Sequence, residues 1–449
     1  MTWANKAAFF LILLVVIMTT LLYGGVHEPV LALFYVLTAA GVLLWLIDCY
    51  RTGIVRFNST PLQLPLYAIA AYGFLQAIPF GTYSEAGLDS IPRTISLDPF
   101  STELNALHFL ALGLFFSLTL AVLDRAARIR RVVMVIVIFG FIFSFFAILQ
   151  GVLSPTKIYG IYESQFAQPY GSFVNRHNFA AYMEMTVALP LGLLAAGAVK
   201  RDQRLLCLTA MGLMAVALLL SGSRGGLVAL VSEVLLVIVI ATPFRGTKNL
   251  IVRFALGAAL LIAVVVGTLF VGGESSLTRL AETATSKDVT TNRTHIWAVS
   301  LDVIRNNFPF GGGLGAFGVA YTPTDDRSGL ERVEQAHNDY LQTLSDAGII
   351  GAIIGGAFLY FLVQTARQSV GRNNKFRRGV AVGAAAGIFA VLVHSIFDFV
   401  LHTTAVALLF LLLAALLVAT GSQYDDDIHT SRPGRSGRKG SLHSLKRDL

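Results

Sequence analysis

Three residues are best suited to chemistry by their type and setting: Arg224, Arg293 and His337. Arg224 lies in Ser221-Gly222-Ser223-Arg224-Gly225-Gly226, a short connection between the apolar runs 204–221 and 225–242. A guanidinium holds phosphate bidentately and stays charged at any relevant pH. The flanking glycines let a ligand approach the backbone closely. The plain alternative is an arginine snorkelling to a membrane interface. Arg293 opens a helical pattern in Asn292-Arg293-Thr294-His295-Ile296-Trp297, where a solvated helix-end charge is the simpler reading. Arg176 and His177 precede an apolar run starting near Asn178 and could meet an anion at that helix N-terminus, although a solvated end again suffices.

His337 precedes Asn338 and Asp339, either of which can cap a helix whose apolar stripe is Tyr340, Leu341 and Leu344. The positive end of a helix favours a neutral imidazole, able to take a proton, with room for a phosphate beside it. A surface histidine beside an ordinary cap is the competing reading. Glu184, Glu233 and Asp398 fall inside apolar runs, where carboxylates can mark a proton path. His394 and Asp398 stand at i and i+4, a spacing that predicts a pair on one helix face, structural or supporting a site. Gly313 to Gly318 reads G-x-G-x-x-G, but no strand precedes it and no βαβ unit surrounds it. It predicts a close turn between helices, not a dinucleotide site.

The elements that must position these residues are mostly membrane spans. Of 449 residues only 13% are charged, and the mean hydropathy is +0.69. Soluble domains carry about 25% charged residues. Apolar runs at about 7–26, 30–48, 62–80, 104–123, 132–153, 178–199, 204–221, 225–242, 250–271, 346–366, 379–400 and 403–421 predict an all-α polytopic membrane protein of about twelve transmembrane helices. One large polar segment, 272–345, separates helices 9 and 10. Within it, Thr291 or Asn292 can cap a helix running to about Asn306, which Pro309 and the following glycines end. Residues 1–271 are thus expected to hold helices 1–9, 272–345 a helical segment packed on the membrane domain as a lid, 346–421 helices 10–12, and 422–449 a disordered tail.

Charge orients the spans. Lys6, the tail and alternate loops carry 24 of the 34 lysines and arginines, which predicts that this side, with both termini, is cytoplasmic. The net charge of +8 then records topology and gives no support for nucleic-acid binding. Lys6 followed by an apolar run without a small-x-small site reads as a retained first helix. Cys49 and Cys207 read as small packing residues, and no metal-ligand spacing appears, so neither metal nor cofactor is expected.

Several motifs in order resemble the O-antigen ligase superfamily: Ser223-Arg224-Gly225, Arg293 to Trp297, Pro309 to Phe317, and His337-Asn338-Asp339-Tyr340-Leu341-Gln342. Gly171 to Ala180 resembles a further family segment. The likeness covers roughly 60–415 and is strongest over 171–351. It implies a glycosyltransferase of the bacterial inner membrane, with the segment 272–345 and the active site periplasmic. The donor would be a glycan on undecaprenyl diphosphate and the acceptor lipid A-core. A polymerase using a lipid-linked glycan as acceptor is the nearest alternative, and a lipid-linked glycan transporter a more distant one. By resemblance, Arg224 and Arg293 hold the diphosphate, with Arg176 added from its position, and His337 is the catalytic base or a cationic diphosphate ligand. His177, Asn338, His394 and Asp398 would stand behind them. Transfer would be inverting and metal-independent, with membrane lipids the only other expected partners.

Overall fold

The computed structural model describes residues 2–241 apart from 86 and 165–166, scattered positions between 251 and 262, and residues 293–421 apart from 328–332. Most of the expected ninth helix, the caps Thr291 and Asn292, and the tail 422–449 lie outside the described residues. Thirteen α-helices follow in order among the described residues: α1 (Trp3–Leu21), α2 (Glu28–Thr52), α3 (Gln63–Ala77), α4 (Pro99–Val122), α5 (Ala126–Leu153), α6 (Arg176–Ala195), α7 (Arg204–Leu220), α8 (Arg224–Ala241), α9 (Arg293–Asn306), α10 (Phe317–Tyr321), α11 (Asp339–Val370), α12 (Lys375–His394) and α13 (Thr404–Gly421). Ten of these described helices are long and apolar enough to cross a membrane. The protein is an all-α polytopic membrane protein, and its sheet content among the described residues is two short hairpins.

Side-chain caps start the helices where the sequence supplies them. Asn175 accepts the His177 amide at 2.9 Å, and Asn338 accepts those of Tyr340 and Leu341 at 2.9 and 3.1 Å. Asn374 does the same for α12, and Asp98 with Pro99 opens α4. Two ends differ from expectation. α3 stops at Ala77 because Ile78 precedes Pro79, and a residue before proline is pushed out of the helical region. α12 stops at His394 instead of running to about 400. There the carbonyls of Ile396 and Phe397 are taken by the side chains of Asn338 and Arg293 and are lost to helix continuation.

α13 lies at the centre, buried along nearly its whole length. α6 and α12 pack closest of all. A Cβ on Gly192 would fall 2.3 Å from the Gly383 nitrogen, and one on Gly383 would fall 2.5 Å from the Ala188 oxygen. Lipid is as apolar as leucine, so membrane helices gain by close backbone approach, which small residues permit. This antiparallel contact sets the start of α6 beside the end of α12.

The soluble segment forms a small second core of Ile296, Val299, Val303, Phe317, Tyr321 and Ala336. Its glycine-rich stretch is a strap docked on the membrane helices. Gly312 and Gly313 donate to the Ser345 and Asp346 carbonyls at 2.8 and 2.9 Å, and Gln76 of α3 donates to the Phe310 and Asp346 carbonyls at 2.9 and 3.0 Å. The strap fills a break in α11 at Gly348, whose φ is 58° and ψ −152°. The short polar helix begun at Asp339 and the span beyond it are therefore one element with a gap.

Candidate functional site

Asp398 lies in the turn after α12, fully buried, and gathers the site around it. Its Oδ1 is 3.1 Å from His337 Nδ1, and its Oδ2 accepts from Arg293 Nη2 at 2.9 Å. Arg293, the first residue of α9, also donates through Nη1 to the Phe397 carbonyl at 2.6 Å. That uses two of the five guanidinium N–H groups and leaves the rest for a ligand. His177 Nδ1 stands 3.7 Å from Oδ2 of the same carboxylate. Burial alone would raise the Asp398 carboxyl. The hydrogen bond from His337 and the positive charge of Arg293 outweigh it and hold the group well below the usual carboxylate range.

His337 has a positive φ of 49°, a conformation few residues with a Cβ adopt but histidine tolerates better than most. Its ring is held by Asp398 on one edge and meets the Phe399 ring edge-on, centroids 5.0 Å apart. An ionised carboxylate can only accept, so the proton sits on Nδ1 and Nε2 keeps its lone pair. One third of the side chain is exposed, so that lone pair can meet a substrate.

Arg224 is exposed at the first residue of α8. The residue before it, Ser223, is 2.8 Å from His177 Nδ1 and 3.4 Å from His394 Nε2. Gly225 is pressed so closely on His394 that a Cβ there would come within 2.7 Å of the ring. Arg224 is thus carried on a turn clamped between α6 and the end of α12. Arg176 donates to the Gln168 side chain at 2.6 Å. Asn338 caps α11 and donates to the Ile396 carbonyl at 3.0 Å, fixing the turn that holds Asp398.

His394 departs from the spacing-based expectation. Because α12 ends there, Asp398 does not face it as an i, i+4 partner. His394 Nδ1 instead meets Glu184 Oε1 of α6 at 2.8 Å, with both side chains fully buried. Glu184 and Ser223 therefore belong to the polar network, which sequence spacing did not show for either. The usable signal was a carboxylate inside an apolar run.

On the far side of Asn338, Asp339 Oδ1 meets His402 Nδ1 at 2.7 Å. An apolar groove of about 430 Å³ starts beside this pair at Asp339, Tyr340 and Ser395, and runs between α3, α4, α11 and α13. In the soluble segment, His295 meets Asp325 and Asp326 at 2.8 and 3.6 Å. These three side chains could hold a cation, which sequence spacing did not suggest, and they tie α9 to the stretch before residue 328.

Residues 209–356 match the family model described as O-Antigen ligase, a stretch that contains Arg224, Arg293 and His337. No curated protein matches the chain. The family match brings with it a function of the O-antigen ligase or polymerase type, in the broad class of membrane glycosyltransferase-like enzymes. With ten long apolar helices among the described residues, the chain is a multi-pass membrane protein whose residues 209–356 are similar to the O-antigen ligase family.

Proposed function

We propose that this protein transfers a glycan from undecaprenyl diphosphate to an acceptor hydroxyl, that of lipid A-core, at the periplasmic face of the bacterial inner membrane. The observation that carries the reading is the shared anchoring of His337 and Arg293 on Asp398. One carboxylate fixes a proton acceptor and a phosphate-binding cation side by side.

In the reaction, His337 Nε2 takes the proton of the acceptor hydroxyl. The oxygen attacks the anomeric carbon opposite the diphosphate, forming the new glycosidic bond with inversion. The bond from that carbon to the diphosphate oxygen breaks, and the electron pair leaves with the lipid diphosphate. Arg224 and Arg293, with Arg176 at the rim, meet the charge that develops there. The apolar groove beginning at Asp339 suits a lipid chain, since its polar lining is confined to the end nearest the site.

The test is transfer in proteoliposomes holding a purified lipid-linked glycan and lipid A-core. A positioned base contributes typically 10²–10⁴-fold. His337→Ala is expected to lose about that much turnover while its melting temperature holds. Unchanged transfer by His337→Ala would sink the assignment. If His337 instead binds diphosphate as a cation, His337→Arg recovers part of the activity. Glycan ladders on the carrier lipid, without product on lipid A-core, would replace the acceptor by a second lipid-linked glycan and leave the donor chemistry as drawn.

A further inference from the structure

Beyond the base stands a second imidazole, His177, joined to a fully buried carboxylate by an unbroken polar chain. The chain runs from Asp398 to His177 Nδ1 at 3.7 Å, to Ser223 Oγ at 2.8 Å, to His394 Nε2 at 3.4 Å, and from His394 Nδ1 to Glu184 Oε1 at 2.8 Å. Ser223 Oγ also accepts the Gly226 amide at 3.1 Å.

With the Glu184 carboxylate as the acceptor at one end and Asp398 at the other, counting donors and acceptors assigns the protons between them. Asp398 only accepts, so a lone pair on His177 Nδ1 would face a carboxylate, and the proton must sit on that nitrogen. It is donated to Ser223 Oγ, the nearer acceptor. With the Gly226 amide, that fills both lone pairs of the hydroxyl. The Ser223 proton then has one acceptor left, His394 Nε2, which must be unprotonated. The proton of His394 is therefore on Nδ1 and goes to Glu184. Glu184 and His394 are both fully buried within the protein, on helices of spanning length, where a polar side chain needs a reason to be.

The consequence falls on His177 Nε2. It keeps a lone pair, takes no part in the bonds His177 makes to described residues, which run through its amide and Nδ1, and belongs to a ring still 18% exposed. We infer that His177 Nε2 is a second hydrogen-bond acceptor in the site, binding a hydroxyl of the acceptor glycan, and that Glu184 acts through His394 and Ser223 as the positioning residue that fixes its tautomer. This rests on the glycan-transfer reading above. It gives the acceptor a second anchor, so that the hydroxyl to be glycosylated is presented to His337 and its neighbour to His177.

The experiment is a double-mutant cycle on the full chain in proteoliposomes, reading the acceptor KM separately from kcat. His177→Ala should raise the acceptor KM by about tenfold, the worth of one good hydrogen bond. Glu184→Leu removes the acceptor for His394 while filling the space, and should raise the same KM by a similar factor. Glu184→Gln, whose amide oxygen can still accept from Nδ1, should recover most of that loss. In the His177→Ala background, Glu184→Leu should add nothing, because its effect travels through His177. Multiplying effects, or a Glu184→Leu change confined to the melting temperature, would overturn the inference. If Glu184→Leu does not fold, Ser223→Ala carries the same cycle. Failure of the underlying reading looks different, since His337→Ala would then transfer normally whatever the cycle shows.

Discussion

At the scale of single residues, Asp398 decides more than the groups that would touch substrate. Its two oxygens accept from one imidazole and one guanidinium and face the Nδ1 edge of a second imidazole at 3.7 Å. Asp398→Asn keeps the shape but offers one acceptor and adds a donor that must face either Arg293 or His337. Its expected turnover loss is roughly 10²–10⁴-fold, the whole contribution of a positioned base, with lipid-diphosphate binding weakened as well. Initial rates at saturating acceptor measure this. The same carboxylate predicts a pH dependence of stability. Its pKa is depressed in the folded protein, so its stabilisation is present above the unfolded value of about 3.9 and fades as pH falls through the lower folded value. The melting-temperature gap between the native protein and Asp398→Asn should therefore stay constant from pH 8 to 5, within about a degree, and close only below about pH 4. A gap that closes near pH 6 would mean that a histidine carries the stabilisation. His402 has the opposite sign. Burial lowers its pKa, but the hydrogen bond and charge of Asp339 and the charge of Asp346 prevail and raise it. Its stabilisation is complete below about pH 6.5 and is lost as pH rises through the folded value.

At the scale of elements, the site depends on two chain breaks. One is the end of α12 at His394, which frees the Asp398 turn. The other is the gap in α11 at Gly348, which seats the strap from Pro309 to Ala316. A Cβ on Gly348 would lie 2.1 Å from the Pro309 oxygen, and its φ and ψ belong to a region essentially reserved for glycine. Gly348→Ala should cost about 3 kcal/mol or more and loosen the segment that presents Arg293 and His337. Gly355→Ala, on the same helix with nothing within 4 Å of its Cβ, should be neutral or stabilise by up to about 1 kcal/mol. Thermal unfolding in detergent separates the two, and equal effects would remove the strap from the account. These breaks also mark where sequence reading stops. Apolar runs of about 20 residues show that spans exist, because length and composition alone decide what can cross lipid. The cap at Asn338 was legible, as one of two candidates with Asp339, because capping is local. The end of α12 was not, because it comes from Arg293 and Asn338 capturing carbonyls about a hundred and about sixty residues away in sequence. The role of Glu184 escaped for the same reason, since its partner His394 is 210 positions on.

At the scale of the whole molecule, the helix ends collect on two opposite rims. One holds the end of α1, the start of α6, the Ser223 turn, the start of α11 and the Asp398 turn. Across it Ser172 donates to the Thr20 carbonyl, and Gly25 packs against Thr404 and Thr19. The other holds Asn5, Asp48, Arg56, Asp124 and Arg128 in one polar cluster, with Arg372 donating to the Gly421 carbonyl at its far edge. The glycan-transfer proposal needs the first rim outside, where a lipid-linked glycan is presented, and the bias of lysine and arginine toward the second rim predicts that one to be cytoplasmic. The two statements are independent, one from chemistry and one from charge, and a single labelling experiment can set them against each other. With Cys49 and Cys207 replaced by alanine, Asp326→Cys lies exposed in the soluble segment and Asp202→Cys lies exposed between α6 and α7. In intact spheroplasts a membrane-impermeant maleimide should label position 326 and spare position 202 until the membrane is opened. The reverse pattern would put His337, Arg293 and Arg224 on the cytoplasmic side. A lipid-linked donor presented outside could not reach them there, and the proposed reaction would fail even if every distance around Asp398 stood.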